Sequence, residues 1–171
     1  LGSVQDIQMP VGGVVDDILV AEGDSVKKGE ILIKLDTEAS EQQLQSLETS
    51  IKLKGIERKK YSEMNSAGIQ TLEKNLTLQN EILDRYQQLE ESGAASELQY
   101  LSQRNTVEET RGRLLQTKAD GFRQLSLLDQ QLAELKSRLA EVRVTLRYQP
   151  LKFPVDGVVF DLQTTASGFT P

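Results

Sequence analysis

The stretch Arg85-Tyr86-Gln87-Gln88-Leu89-Glu90-Glu91-Ser92-Gly93-Ala94-Ala95-Ser96 decides the fold of this chain. Long segments rich in Leu, Gln, Glu and Lys precede and follow it, and no proline lies between residues 11 and 149. Gly93 can adopt a positive φ and end one helix. Ser96 is a good N-cap for the next helix, with the carboxylate of Glu97 in its first turn. The sequence therefore predicts an antiparallel helical hairpin that turns at residues 92–96.

The composition fits long helices with a narrow apolar seam rather than a thick globular core. The 171 residues are 37% hydrophobic and only 5% aromatic, with no Trp. The net charge of −6, with no basic stripe, argues against nucleic-acid binding. The chain has no His and no Cys, which removes the commonest general base and metal ligands and any disulfide or thiol chemistry. We find no catalytic constellation, and predict a chain that is not an enzyme and holds no metal or cofactor.

The first predicted helix, residues 38–91, changes its apolar phase near the middle. Its first register starts at Leu44 and reaches polar residues after Ile51, whereas a fresh register begins at Ile69. Between them lies Asn65-Ser66-Ala67-Gly68, a stretch poor in helix formers. Either the helix continues through a stutter or it breaks there into two pieces. The phase change leads us to expect faster amide hydrogen exchange across residues 65–68 than in the second helix.

The second predicted helix runs from Glu97 to about Arg147. Apolar residues recur there in steps of three and four, which predicts the internal seam of the hairpin: Leu125, Leu128, Leu132, Leu135, Leu139, Val142 and Leu146. The first half of this helix is looser, with apolar residues spread over a wider face. Gly112 and Gly121 weaken it slightly.

The hairpin is bracketed by two copies of a small β motif. Residues 9–18 match residues 153–162, and six of the ten aligned positions hold the same residue. Neither copy is large enough to bury a core alone. We therefore expect an α+β fold, a long antiparallel helical hairpin inserted between the two halves of one small β domain. The predicted segments are residues 4–36 for the first half, 37–149 for the hairpin and 150–171 for the second half.

The repeated Pro-Val-x-Gly-Val-Val motif, at residues 10–15 and 154–159, resembles that of a biotinyl/lipoyl-like domain. A lipoyl-like domain split by a helical hairpin is similar to the HlyD-type membrane fusion proteins, or periplasmic adaptors. Adaptors that meet a TolC-type channel carry an Arg-x3-Leu-x6-Ser pattern at the hairpin turn. Here Arg85, Leu89 and Ser96 fall on that pattern with its spacing intact. The resemblance implies that these three residues, with Gly93 and Ala94, contact such an outer-membrane channel.

The resemblance also implies a cellular setting. The protein would lie in the periplasm and be anchored to the inner membrane by a segment outside this chain. It would form a ring, expected to hold six copies, and link an inner-membrane transporter to the outer-membrane channel for export. An ABC exporter, as in type I secretion, is the expected transporter. Carrier domains of the lipoyl type present a modified lysine in a turn, but the corresponding turn here, at residues 35–37, has none.

Other readings of the same residues stay open. The chain is alternatively a biotinyl/lipoyl-type carrier with a helical insertion, the adaptor of a proton-driven drug efflux pump, or a cytosolic coiled-coil scaffold. A lysine adduct would favour the carrier, and a membrane segment in the full-length protein would reject the scaffold. At the turn, Arg85 is alternatively an ordinary cation near a helix C-terminus, Ser96 a simple N-cap and Leu89 part of the seam.

Overall fold

The structure, a computed structural model, describes residues 4–8, 15–152 and 157–159. Its elements follow the chain in this order: β1 (Val15–Ile18), β2 (Ser25–Val26), β3 (Ile31–Leu35), α1 (Glu38–Glu91), α2 (Glu97–Tyr148), β4 (Pro150–Lys152) and β5 (Gly157–Val158). The two helices predicted from the sequence are confirmed, α1 at both ends and α2 to within one residue of its predicted end. No helix in the described part of the chain is long and apolar enough to cross a membrane.

Strands from before and after the hairpin pair with one another. One sheet has the order β1-β3-β4, and a second pairs β2 with β5; all three pairings are antiparallel. β4 lies at an edge of its sheet, a position that tolerates Pro150, which has no N–H to donate. The helical hairpin is therefore inserted between the two halves of a small β domain, as the predicted fold class requires. The segment boundaries 4–36, 37–149 and 150–171 stay predictions.

The β strands share one small apolar core. It consists of Val15, Val26, Ile33, Leu35 and Val159, all of them buried. Val15 and Val159 occupy equivalent positions in the sequence repeat, so the described ends of both copies reach the same core. The other repeat positions, at residues 9–14, 153–156 and 160–162, lie outside the described residues.

The chain divides into two compact units, and cross-helix contacts in each show that α1 and α2 run antiparallel. The first unit comprises Leu1–Ile51 and Glu134–Pro171. There Arg143 Nη2 lies 3.6 Å from Glu48 Oε1. Nearer the ends of the helices, the Gln149 amide donates to Ser40 Oγ at 3.2 Å. The residue numbers rise along α1 as they fall along α2, which is the order of an antiparallel pair.

The second unit, Lys52–Ala133, has ion pairs of its own between the helices. Arg58 forms a two-pronged contact with Asp129, in which Arg58 Nη2 lies 3.2 Å from Asp129 Oδ2. That hydrogen bond, and then the negative charge of Asp129, raise the pKa of Arg58. Lys118 Nζ lies 3.5 Å from Glu73 Oε1. These ion pairs are exposed to solvent, so they show how α1 and α2 are aligned but contribute little to the free energy of unfolding.

The predicted alternative of a break at residues 65–68 is wrong, because α1 is continuous from Glu38 to Glu91. Asn65 is half-buried and lies against Gly121 of α2, which is buried. The seam face of α1 keeps its spacing of three and four through this region but carries mainly polar or small residues: Lys54, Arg58, Tyr61, Asn65 and Gly68 are all half-buried. Gly68 and Ile69 are both half-buried, so the first register passes into the second, which begins at Ile69, within this stretch. The phase change is therefore the stutter that the sequence allowed as an alternative, and the helix continues through it without a break.

The seam predicted in the second half of α2 is confirmed by burial. Leu128, Leu139 and Val142 are buried, and the other members of the set are half-buried. In the first half of α2, only part of the apolar set points inward. Val107 and Leu114 are buried. The remaining large apolar residues there are exposed: Leu98, Leu101, Leu115 and Phe122.

Candidate functional site

The turn between the helices begins with a complete C-terminal cap on α1. Gly93 has a φ of +77°, in the left-handed region that favours glycine. Its N–H donates to the Glu90 carbonyl at 3.0 Å, and the Ala94 N–H donates to the Leu89 carbonyl at 2.8 Å. Together these bonds form a Schellman motif, which satisfies carbonyls that the helix end leaves without a partner. The predicted role of Gly93 in ending the helix is confirmed.

The turn ends with a reciprocal cap on α2. The Gln99 N–H donates to Ser96 Oγ at 3.1 Å, while the Ser96 N–H donates to Gln99 Oε1 at 2.9 Å. This is a capping box, in which serine and the residue three positions later satisfy each other's backbone donors. The predicted N-cap role of Ser96 is confirmed. Its hydroxyl is therefore already engaged within the turn.

The two caps leave the residues of the turn small and open to solvent. Gly93, Ala94 and Ser96 are exposed, and a Cβ at Gly93 would meet nothing within 4 Å. The Leu89 carbonyl accepts a second N–H, that of Ala95, at 3.2 Å. The backbone of this turn is thus held in one shape by its own hydrogen bonds, while its outer surface stays free of bulky side chains.

Arg85 and Leu89 lie one turn apart on the same face of α1. The Arg85 side chain is exposed and makes no hydrogen bond or ion pair within the described residues. Leu89 is 45% exposed, so it does not close the seam in the way the simpler reading supposed. A guanidinium offers a fork of donors suited to carbonyls or a carboxylate. Arg85 and Leu89 together present hydrogen-bond donors and an apolar side chain on one face of α1.

Sequence reasoning missed Leu98 as part of this surface. Leu98 is 76% exposed and lines a shallow open groove next to the turn, with Tyr86, Gln99, Ser102 and Gln103. A large apolar residue two positions after an N-cap, off the seam spacing, is the signal that would have identified it. Of the predicted residues, the structure joins Leu89 to Ala94, whose N–H donates to the Leu89 carbonyl. It shows no direct bond between Arg85 and Ser96.

Within the described ranges, no group of three or more His, Cys, Asp or Glu residues is arranged to hold a metal ion. The turn presents a guanidinium, small residues and exposed leucines.

Solved structures show which known fold this arrangement matches. The soluble domain of LipC, a membrane fusion protein of a type I secretion system, aligns with a TM-score of 0.52 at 18% identity, over 96% of this chain and 94% of that one. The periplasmic adaptor EmrA aligns with a TM-score of 0.49 at 19% identity, over 94% of this chain and 66% of that one. MacA from Actinobacillus actinomycetemcomitans aligns with a TM-score of 0.47 at 18% identity, over 99% of this chain but 46% of that one.

No protein-family model matches the sequence, and no curated protein matches it. At these identities the likeness to the LipC domain shows the fold. The chain has the fold of a membrane fusion protein, with a helical hairpin between the halves of a lipoyl-like β domain. The resemblance predicted from the sequence is confirmed at that level.

Proposed function

We propose that this chain is the adaptor part of an export system. In this role it lies in the periplasm, belongs to a protein anchored in the inner membrane, and links an inner-membrane transporter to a TolC-type outer-membrane channel. The membrane-fusion-protein fold supports the adaptor role. LipC is a membrane fusion protein of a type I secretion system, and the likeness to its soluble domain supports an ABC exporter as the transporter. Copies of the chain are proposed to form a ring of six.

The observation that carries the channel contact is the exposed Arg85, which makes no hydrogen bond or ion pair within the described residues, beside the exposed Leu89. Arg85 supplies donors for carbonyls or a carboxylate on the channel, and Leu89 supplies an apolar contact. Gly93 and Ala94 allow a second helical turn to approach closely, because neither carries more than a methyl group. Ser96 contributes through its small size and its cap, since its hydroxyl is already bonded to Gln99.

The decisive experiment is export by cells in which the native protein is replaced by the Arg85→Glu variant. We expect export to be lost. The helix content should stay the same, and the free energy of unfolding should change by less than about 0.5 kcal/mol, as at an exposed position. Arg138→Glu is the matched control, an exposed arginine on α2 outside the turn. It should export normally. Normal export by a folded Arg85→Glu variant would refute the channel contact.

A carrier function makes a different prediction at the start of α1. The turn that would present a modified lysine holds Asp36 and Thr37 instead. Asp36 Oδ1 accepts the Glu38 N–H at 3.0 Å, and Thr37 Oγ1 donates to Glu41 Oε1 at 3.1 Å, so this turn caps the helix. The intact mass of the native protein separates the two functions. An unmodified mass supports the adaptor, and a biotinyl or lipoyl adduct on a lysine would support the carrier.

A further inference from the structure

Residues 52–60 of α1 hold the highest local concentration of positive charge in the chain. The segment is Lys52-Leu53-Lys54-Gly55-Ile56-Glu57-Arg58-Lys59-Lys60, and it contains five of the 20 Lys and Arg residues but only one carboxylate. Its net charge is +4, although the whole chain carries −6. No other Lys or Arg lies between residues 35 and 73. The segment is therefore an isolated patch about 12 Å long rather than a stripe along the helix.

The hairpin itself uses two of these five cations. Lys54 Nζ lies 3.1 Å from Glu57 Oε2, and Arg58 is paired with Asp129 of α2. The other three are exposed and make no hydrogen bond or ion pair within the described residues: Lys52, Lys59 and Lys60. Three positive charges in an otherwise acidic chain are thus available to a partner outside the hairpin.

Two large apolar side chains lie among these lysines. Leu53 is 60% exposed and Ile56 is 43% exposed. At about 100° per residue, both fall with the three lysines in one arc of about 120° around α1, on the side opposite the seam. The hairpin's own second helix therefore cannot cover this arc. We call the five residues Lys52, Leu53, Ile56, Lys59 and Lys60 the basic face.

The pattern of the basic face is that of a surface for another helix. Leu53 and Ile56 are three residues apart with lysines beside them, as apolar residues and flanking charges are arranged in paired helices. The lysine stems add apolar contact area around the two side chains. Two helices that cross at an axial distance of about 8–10 Å contact each other over a short length, which suits a patch of about two turns.

A lipid surface fits the basic face less well. A bilayer contacts a straight helix along its whole length, so helices that lie on membranes repeat their basic and apolar residues over many turns. Here the pattern stops after about two turns, because Glu63 carries the opposite charge on the same arc. The fifteen residues before Lys52 contain no Lys or Arg.

We propose that the basic face docks an acidic amphipathic helix of a partner protein, which crosses α1 at residues 52–60. Apolar side chains of that helix pack on Leu53 and Ile56, and its flanking carboxylates pair with the three lysines. The basic face is about 48 Å along α1 from the turn, at about 1.5 Å per residue. The proposal therefore adds a second surface, and it does not depend on the contact proposed for Arg85.

The first test measures binding of a synthetic helix to the full protein by fluorescence anisotropy. The acidic probe has leucine at alternating steps of three and four, with glutamate on both sides of the leucines. It should bind, and the binding should weaken as salt is added, because salt screens exposed charges. A second probe with glutamine in place of every glutamate should bind at least about tenfold more weakly, since it cannot pair with the lysines. Equal binding of the two probes would refute charge recognition.

Charge reversal on the protein tests the same pairing from the other side. The variant Lys52→Glu/Lys59→Glu/Lys60→Glu should bind the acidic probe at least about tenfold more weakly, because attraction becomes repulsion. It should instead bind a probe with lysine in place of every glutamate. That gain also shows that the variant is folded. A reversed variant that keeps its helix content but binds neither probe would overturn the proposal.

The matched control carries the same change in net charge away from the basic face. Its three substitutions are at exposed cations with no ion pair within the described part of the chain: Lys74→Glu, Arg104→Glu and Lys136→Glu. Binding of the acidic probe should stay within about twofold, because the lysines that contact it are unchanged. An equal loss in the control would show that the probe responds to net charge alone, and the basic face would not be a site.

The apolar part of the contact has its own variant. Leu53→Gln/Ile56→Gln keeps all three lysines and should weaken the acidic probe by about tenfold, because apolar burial is lost. Unchanged binding would refute helix packing. Displacement of the probe by phosphatidylglycerol vesicles, but not by phosphatidylcholine vesicles, would reassign the basic face to a membrane surface.

Photocrosslinking in cells tests for the partner itself. With Ile56 replaced by a photoreactive benzophenone amino acid, the full protein should form an adduct with a different protein. The crosslinked peptide should be acidic, with apolar residues three and four apart, and the adduct should disappear in the three-lysine reversal. An adduct formed only with a second copy of this chain would overturn the proposal, and so would the absence of any adduct. Either result leaves the Arg85→Glu export experiment to decide the channel contact separately.

Discussion

Asn65 on α1 lies directly against Gly121 on α2, so closely that a Cβ added at Gly121 would stand 2.6 Å from Asn65 Cγ. The glycine is what leaves room for the amide in the seam. This contact explains why a region of poor helix formers remains helical: α1 is supported there by its partner helix rather than by its own sequence.

Gly121→Ala should lower stability relative to Gly112→Ala. Gly112 has open space around it, so alanine there should stabilise the helix by about 0.5–1 kcal/mol. At Gly121 the same gain in helix propensity is opposed by a clash between the added Cβ and the Asn65 side chain. Such overpacking lowers the free energy of unfolding by about 1–3 kcal/mol. Urea unfolding followed by circular dichroism measures both variants. In an Asn65→Ala background the Gly121→Ala penalty should disappear; if it persists, Asn65 is not its cause.

Amide hydrogen exchange should show no fast segment at residues 65–68. The helix runs through them with its backbone hydrogen bonds intact, so their protection should match that of the turns on either side. Exchange measured residue by residue by NMR decides this. Protection that drops at residues 65–68 alone would restore the broken-helix alternative.

Gly93→Ala should destabilise the turn, whereas Gly68→Ala should not. Gly93 has a φ of +77°, and a left-handed conformation costs a residue with a Cβ about 1–2 kcal/mol. Gly68 lies inside α1 with nothing within 4 Å of an added Cβ, so alanine there should stabilise the helix. Thermal unfolding of the two variants, side by side, gives opposite shifts. A stabilising Gly93→Ala would show that the cap tolerates another conformation.

A disulfide should form within one chain between the two halves of the β domain. Ser25 and Val158 are paired across β2 and β5, and both are exposed. Directly opposed residues on antiparallel strands have Cα atoms about 4.5–5.5 Å apart, which suits a disulfide. The Ser25→Cys/Val158→Cys variant should stay monomeric on a non-reducing gel and unfold at a higher temperature when oxidised. Crosslinks found only between chains would indicate exchanged domains.

The turn was predictable from the sequence because its causes are local. Gly93 and Ser96 act on backbone groups within five residues of themselves, so their residue types alone indicate the two caps. The leucine series of α2 was equally predictable, because apolar residues at this spacing indicate the seam between two packed helices.

The middle of α1 was not predictable in this way, because its seam positions are polar. Arg58 is held by Asp129, and Asn65 lies against Gly121, residues far along the chain. A search for apolar periodicity skips such positions, so the sequence alone did not decide whether the helix continues or breaks there. The exposed apolar residues in the first half of α2, such as Leu98 and Phe122, were missed for the opposite reason. They were counted toward one broad face of α2 rather than separated by burial.

The bonds that shape the hairpin turn all lie between Gln88 and Tyr100. The turn therefore behaves as a self-contained module, whose form does not depend on the length of the helices that lead to it. Either arm can gain or lose whole heptads together with its partner while the turn keeps the same surface. In engineering terms this thirteen-residue segment is a portable connector, suited to grafting between other antiparallel helices that need a fixed exposed end.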